Sequence, residues 1–443
     1  MSASQPQIVQ LSEWEERELP GLVLGDSDRE LAARLVDQEG SRLVVEELRD
    51  GLRIRTSSWV GVVRLGGFEI RVTPKLVGGD AFLVDLVEET SGLEALKRTV
   101  GRRTLPPGGN NLFDLFAWLL AEACTEVLRA GILRDYVEEE DTLPVLRGRL
   151  RLDRQVRERF GQLDRLICRF DDLREDVLEN QILAFALSFC APRVANPIVS
   201  AHVRQLAAVF REACEGAVLG PDLLREEVTY NRLNDHYRAA HELARLLLGG
   251  FGPTEILSGG ATRSFAFLID MNLLFEKLVH RVVSHCLEGD QARVDYQRSE
   301  RSIVWDVNRR SPYMRVIPDL VVQARHSPSG RLPIDAKYKL YDTRRVEPAD
   351  VYQLFLYAFA FAPLDHPRTA VLIHPSEVAD GTRSHLRVQA TGLGDRADLH
   401  VIGLHVPTVL NELRSREETA VLTGLRASLG QLLDLRSTDA RAA

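Results

Sequence analysis

Lysine is scarce in this 443-residue chain: Lys75, Lys97, Lys277, Lys337 and Lys339 are the only ones among 56 Lys and Arg residues. None of them follows a glycine, so there is no G-x-x-x-x-G-K-[ST] loop and a P-loop nucleotide site in this chain is excluded. There is no H-E-x-x-H pair, and His236/His241 and His280/His285 are spaced by five, a poor match to one helical face, which argues against a helical zinc site. No G-x-S-x-G nucleophile elbow occurs. The five cysteines (Cys124, Cys168, Cys190, Cys214 and Cys286) are odd in number and widely spaced, and read as small core residues rather than a disulfide frame. No run of about eighteen apolar residues is present, and the first twenty residues lack signal-peptide character; a cytoplasmic protein without membrane contact is expected. A formal charge of −8 argues against a protein that coats nucleic acid through bulk electrostatics.

The composition is that of an ordinary soluble globular protein, with 45% hydrophobic and 27% charged residues, and the order of elements read below makes it a multidomain α/β chain. The length calls for two or three domains. Residues 1–110 alternate apolar and polar side chains with turns at Arg49-Asp50-Gly51 and Gly66-Gly67, and read as a β-rich region forming a small sheet or open barrel. A Gly/Pro/Asn cluster at Leu105–Asn111 marks a first linker. Residues 111–260 read as mainly helical, with Leu143–Leu152 an extended arm whose Arg147, Arg149 and Arg151 share a face if it is a strand. From Pro144 to Arg174 nine arginines face five acids, a patch that suits phosphate or an acidic protein surface as well as it suits a solvated face. Phe251–Gly260 is a second linker. Residues 261–443 then read as an α/β core with a mixed sheet: a long helix Phe265–Cys286, several strands, a helix Asp350–Phe361, strands at Thr369–Ser376 and Leu399–Pro407, and a helical tail from Asn411 to Leu435 that frays from Arg436.

The chemistry concentrates between Val316 and Tyr357. Two apolar runs, Val316–Gln323 and Leu332–Tyr338, flank a Ser/Pro/Gly turn and read as an antiparallel hairpin. Asp319 falls on the first strand. Asp335 and Lys337, two apart on the second, point to one face, with Lys339 on that face as well. Two carboxylates and an ammonium on adjacent strands can hold Mg²⁺ and orient a water against a phosphodiester. A chain that otherwise writes Arg has placed Lys here, and a compact ammonium differs from a planar guanidinium fork. Gln353 and Tyr357 share a face of the following helix. A surface hairpin with solvated charges is the plainer alternative, but charges that interrupt strands this apolar need partners or a metal. From Arg293 to Arg325 seven arginines face four acids, adjoining the hairpin where phosphates would lie. Glu276, in the preceding helical pattern, is a secondary candidate, since an acid in mid-helix is more often solvated.

The ordered set Pro318-Asp319, Asp335-Ala336-Lys337 and Gln353 resembles the PD-(D/E)xK nuclease superfamily. FAFLIDMNLLFEKLV, LRGRLRL, YNRLNDHYRAA, DAKYK and DVYQLFLYA are similar to McrC-type subunits of modified-cytosine restriction systems, and the resemblance runs from about Gly51 onward. It implies a PD-(D/E)xK core in which Asp319, Asp335 and the Ala336 carbonyl bind Mg²⁺. Lys337 then acts on the attacking water and the phosphate, Gln353 holds that water or a phosphate, and Tyr357 supports Gln353. Arg309, Arg310, Arg315 and Lys339 are the DNA contacts. It further implies an AAA+ GTPase partner that carries the GTP, double-stranded methylated DNA as substrate, and an amino-terminal β-rich region, ending near Pro74-Lys75-Leu76, that meets the partner. A non-catalytic adaptor of an AAA+ motor and a standalone nuclease in another defence or repair system remain as alternatives, as does an independent small β module for the amino-terminal region.

Overall fold

The computed structural model describes residues 7–36, 41–75, 80–91, 111–162, 164–250, 264–287, 289, 292–325, 331–361, 368–389, 395–415 and 420–433. The chain forms two compact units: Met1–Gly61, Gly66–Leu93 and Leu268–Ala443 make the first, Val62–Leu65 and Glu94–Phe267 the second. The amino-terminal strands thus group with the carboxy-terminal core, whereas the sequence divides at 110 and 260. Residues 251–260, most of the Leu105–Asn111 cluster and the tail from 434 lie outside the described residues.

In the first unit the chain opens with β1 (Gln7–Ser12), β2 (Glu16–Pro20), α1 (Asp26–Leu35), β3 (Leu43–Leu48), β4 (Gly51–Thr56), β5 (Trp59–Arg64), β6 (Phe68–Thr73) and α2 (Asp80–Ser91). Alternation decides the faces. Leu52, Ile54 and Thr56 of β4 are buried while Arg55 is exposed. β4 is paired antiparallel with both β2 and β3, and β1 runs parallel to β6. The Gly66–Gly67 turn is pinned by Asp28, whose Oδ1 accepts the Gly66 N–H at 3.0 Å.

The second unit contains α3 (Leu112–Ala130), β7 (Asp135–Leu143), β8 (Arg149–Leu150), α4 (Leu152–Glu158), β9 (Leu166–Arg174), α5 (Leu178–Cys190), α6 (Pro197–Ala213) and α7 (Arg238–Gly249), before β10 (Phe265–Asp270) leads back to the first unit. α3, α5, α6 and α7 pack on one another, and Asn111 caps α3 by accepting the Asp114 N–H at 2.8 Å. The YNRLNDHYRAA stretch codes a structural lock. The Tyr237 hydroxyl donates to Asn180 Oδ1 at 2.7 Å, and fully buried His241 contacts the Tyr230 hydroxyl and the Glu179 carbonyl, both at 2.9 Å. Burial pushes the His241 imidazole down to about 4.

Three expectations for residues 143–286 are corrected. The extended arm Leu143–Leu152 is not one strand: Gly148 turns the chain at φ +65°, where an added Cβ would meet the Arg169 carbonyl at 2.3 Å. Arg147, Arg149 and Arg151 therefore do not line one face. Arg147 pairs with Asp172 at 2.6 Å and lies over the Phe170 ring, and Arg151 pairs with Glu140 at 2.9 Å. The acidic strand β7 went unread, and β9 beside it supplies Arg169 to Glu138 and Arg174 to Glu139. Much of the basic patch is thus matched internally by acids. The expected helix Phe265–Cys286 is a strand followed by a helix, because the apolar run Phe265–Ile269 is buried throughout as a strand.

The rest of the first unit is α8 (Met271–Leu287), β11 (Ala292–Tyr296), β12 (Glu300–Asp306), β13 (Ser311–Val316), β14 (Leu320–Ala324), β15 (Arg331–Ala336), α9 (Pro348–Phe361), β16 (Thr369–Pro375), β17 (Arg383–Gln389), β18 (Asp395–Leu404), α10 (Val406–Ser415) and α11 (Ala420–Leu432). Six strands form a mixed sheet in the order β11-β14-β15-β16-β18-β17. β11, β14 and β15 are joined antiparallel, β15, β16 and β18 parallel, and edge strand β17, absent from the sequence reading, antiparallel. Leu354 and Ala358 of α9 pack on Ala370, Leu372, Leu399 and Val401, seating that helix against the sheet. All five cysteines are buried and free, as expected. Among the described residues no helix is long and apolar enough to cross a membrane.

Candidate active site

The hairpin is present: β14 and β15 pair antiparallel with Leu320 opposite Ile334. Its boundaries differ from the sequence reading in a way that makes the site. β13 ends at Val316 and β14 begins at Leu320, so Asp319 precedes its strand. The strand is interrupted there at Pro318, which has no N–H to give a ladder. Asp319 extends the register by one and comes beside Asp335; its Oδ2 accepts the Ala336 N–H at 2.7 Å. β15 stops at Ala336, and the Lys337 N–H donates to the Ile373 carbonyl at 2.9 Å. The Lys337 Nζ lies 3.0 Å from Asp335 Oδ2. The three charges therefore meet at the end of the hairpin.

Burial sets their electrostatics. Asp335 is 1% exposed, and neither of its carboxylate oxygens receives an aligned hydrogen bond from the described residues. Burial, followed by the charge of Asp335, pushes Asp319 from 3.8 up to about 7, against the pull of the Ala336 N–H. Asp335 is also raised by burial, with Lys337 opposing the rise. Two carboxyl groups this close titrate as a pair.

Two helices complete the site. On α9, Gln353 Nε2 donates to the Tyr357 Oη at 2.7 Å, and that hydroxyl donates to the Ile317 carbonyl at 3.0 Å. Tyr357 thereby ties the helix to the strand interruption before Asp319, and burial pushes its phenol up to about 12. On α8, Glu276 is half-buried and accepts from Gln297 Nε2 at 2.7 Å. The Gln297 N–H donates to the Asp319 carbonyl at 2.7 Å. Glu276 is thus linked to Asp319 through Gln297, and its charge adds to the raised Asp319 value. Gln297 escaped the sequence reading; its positive φ of 46° leaves no mark in the residue type.

Lys339 departs from expectation. It follows the end of β15, so it does not share a strand face with Lys337, and its Nζ is held by Glu347 at 2.8 Å and Asp350 at 3.1 Å. An ammonium between two carboxylates is a poor phosphate contact. Arg309, Arg310 and Arg315 are exposed on the β12–β13 ribbon that leads into Asp319.

Two carboxylates do not make a closed cage, and among the described residues no group of three or more His, Cys, Asp or Glu could hold a metal. The donor set fits magnesium, which keeps several waters and takes one or two carboxylates. Buried Asp335 oxygens without aligned donors are what such an ion would satisfy.

A mixed α/β sheet here carries two carboxylates and an ammonium together at one hairpin end, with Asp335 the buried member. The chain belongs to the family of McrBC 5-methylcytosine restriction system components, whose model matches residues 54–375. The McrC-type resemblance read from the sequence holds. It is similar to the type IV methyl-directed restriction enzyme EcoKMcrBC of Escherichia coli K12, with 19% identity over 299 residues, covering 65% of this chain and 83% of that protein. Its fold matches a chain of the half-complex from the tetradecameric assembly of Thermococcus gammatolerans McrB AAA+ hexamers with bound McrC. That match has a TM-score of 0.65 at 20% identity, over 96% of this chain and 100% of the other.

Proposed function

We propose that this chain is the DNA-cleaving subunit of a modification-dependent restriction complex, a PD-(D/E)xK endonuclease acting on double-stranded DNA that carries 5-methylcytosine. The observation that carries the reading is the convergence of Asp319, Asp335 and Lys337 at the end of a buried hairpin. Asp319 and Asp335 would hold Mg²⁺, with the Ala336 carbonyl as a backbone ligand. When bound, the ion supplies a Lewis acid for the phosphate and a water of lowered pKa. Lys337 places its ammonium beside Asp335, where it orients the attacking water and balances charge growing on the phosphate. Gln353, fixed by Tyr357, holds the water or a phosphate oxygen from the helix side. Glu276 and Gln297 position the Asp319 segment from behind. Arg309, Arg310 and Arg315 take the flanking phosphates.

In the E. coli and T. gammatolerans relatives the system includes McrB, an AAA+ protein in the latter. The absence of a P-loop here agrees with a GTPase partner that binds the nucleotide, reads the modified base in the cytoplasm and has its hydrolysis stimulated by this chain. The test is DNA cleavage by the complex co-purified with that partner, on methylated plasmid with GTP and Mg²⁺, comparing wild type with Asp335→Ala and Lys337→Ala. Variants that assemble and stimulate GTP hydrolysis but no longer cut support the reading. Variants that cut like wild type reject it in favour of an adaptor whose nuclease lies elsewhere.

A further inference from the structure

The β12–β13 ribbon carries side chains that packing does not account for. Its root is anchored: Ile303, Val304 and Val316 pack with Val321, Tyr357 and Phe361, so it shares a cluster with the helix bearing Gln353. Beyond the root, large apolar groups stand in water. Trp305 is 49% exposed, Val307 78%, Tyr313 70% and Met314 48%. Clustered exposure of this kind marks a binding surface. Arg309, Arg310 and Arg315 are exposed beside them. Among the described residues Arg310 and Arg315 make no ion pair, and Arg309 has only a long approach to Asp306 at 3.8 Å. From Glu300 to Val316 there are four arginines against two acids, a local excess of two positive charges in a chain of −8.

We propose that β12–β13 is a DNA-gripping ribbon that enters a groove of the duplex beside the cut. Arg309, Arg310 and Arg315 lie on phosphates, while Tyr313, on the same face of its strand as Arg315, presses against the bases. This rests on the nuclease reading and deepens it. A two-stranded ribbon fits the major groove, and apolar side chains inserted at base steps are an established way to grip and bend a duplex. The Arg310 and Arg315 guanidinium groups, which have no acidic partner among the described residues, and the loosely paired Arg309 complement a polyanion. Position supports the same occupant: Val316 and Asp319 are three residues apart, a span of at most about 11 Å. A duplex held on the ribbon therefore passes the carboxylates.

The test uses the full chain and a fluorescein-labelled methylated duplex without Mg²⁺, with anisotropy read across a KCl series. Cutting by the partner complex is measured in parallel. Arg309→Ala with Arg310→Ala should lower the slope of log affinity against log salt by about two. Tyr313→Ala should weaken binding roughly 10-fold with the slope unchanged, and Tyr313→Phe should restore most of it. Asp335→Asn should bind normally and not cut. Wild type that fails to bind, ribbon variants that bind and cut like wild type, or ribbon variants that lose only partner assembly or self-association would each overturn the proposal. Because Asp335→Asn reads the nuclease separately, a ribbon failure leaves that reading standing, and cutting by Asp335→Asn breaks it.

Discussion

The raised Asp319 value would make cation binding at this site a proton exchange. Without a metal, burial and Asp335 hold Asp319 at about 7 against an ordinary 3.8, a gap of about 3 pH units. At 1.36 kcal/mol per unit this is up to about 4 kcal/mol, and coupling to Asp335 lowers the share that Asp319 alone would show. The sign follows from linkage. The native chain binds this proton more tightly than the unfolded chain, so the stabilisation is full below about pH 4 and is lost as pH rises through about 7. Metal-free protein should therefore unfold in less urea at pH 8 than at pH 5, and Mg²⁺ should reverse the loss. A calorimetric titration of Mg²⁺ in two buffers of different ionisation enthalpy should show release of roughly 0.9 proton per site at pH 6 and about 0.1 at pH 8. Asp319→Asn should shrink the pH dependence to the part that Asp335 carries and remove the Asp319 proton from the exchange. Proton release that is the same at both pH values, or unchanged in Asp319→Asn, would refute the electrostatic account of the site.

Three further outcomes follow from the same geometry. Lys337→Ala should lower the cleavage rate by about 10²–10³ with partner assembly intact, and Lys337→Arg should not rescue it, since a bulkier planar fork paired with Asp335 does not present the compact ammonium to the attacking water; single-turnover cleavage measures both. Tyr357→Phe removes the donor to the Ile317 carbonyl and should cost about 1–2 kcal/mol in urea unfolding, with kcat falling more than KM rises. Glu276→Gln removes a charge that raises Asp319, so the acid limb of the cleavage pH profile should move to lower pH, while retention of the wild-type limb would uncouple Glu276 from the site.

The legible parts of this protein are those governed by local pattern. Leu320–Ala324 and Arg331–Ala336 announce themselves as strands through apolar β-rich runs on either side of a Ser/Pro/Gly turn, and Pro348–Phe361 as a helix through its apolar content and length. That is why Asp319, Asp335, Lys337, Gln353 and Tyr357 could be named together. Features that depend on distant partners were not legible. The acidic strand Asp135–Leu143 has poor strand propensity and gains its support from arginines across the ladder. Phe265–Asp270 is apolar enough to pass for the first turns of the helix that follows. Lys339 was misplaced because strand ends are not written in alternation, and two residues decided whether it joined Lys337 or Glu347 and Asp350. Glu276 gained its connection only through Gln297, a residue whose backbone conformation no side-chain pattern foretells.

The proposed function stands or falls on a divalent cation held at the hairpin end. Its most direct measurement is Mn²⁺ binding to the purified chain, followed by electron paramagnetic resonance, in wild type, Asp335→Asn and Asp319→Asn. Mn²⁺ here stands in for Mg²⁺ as a hard, oxygen-seeking ion. One site per chain, lost in both variants and competed by Mg²⁺, is the predicted result. A site that survives both substitutions, or no site in the wild type, would show that these carboxylates do not hold the ion.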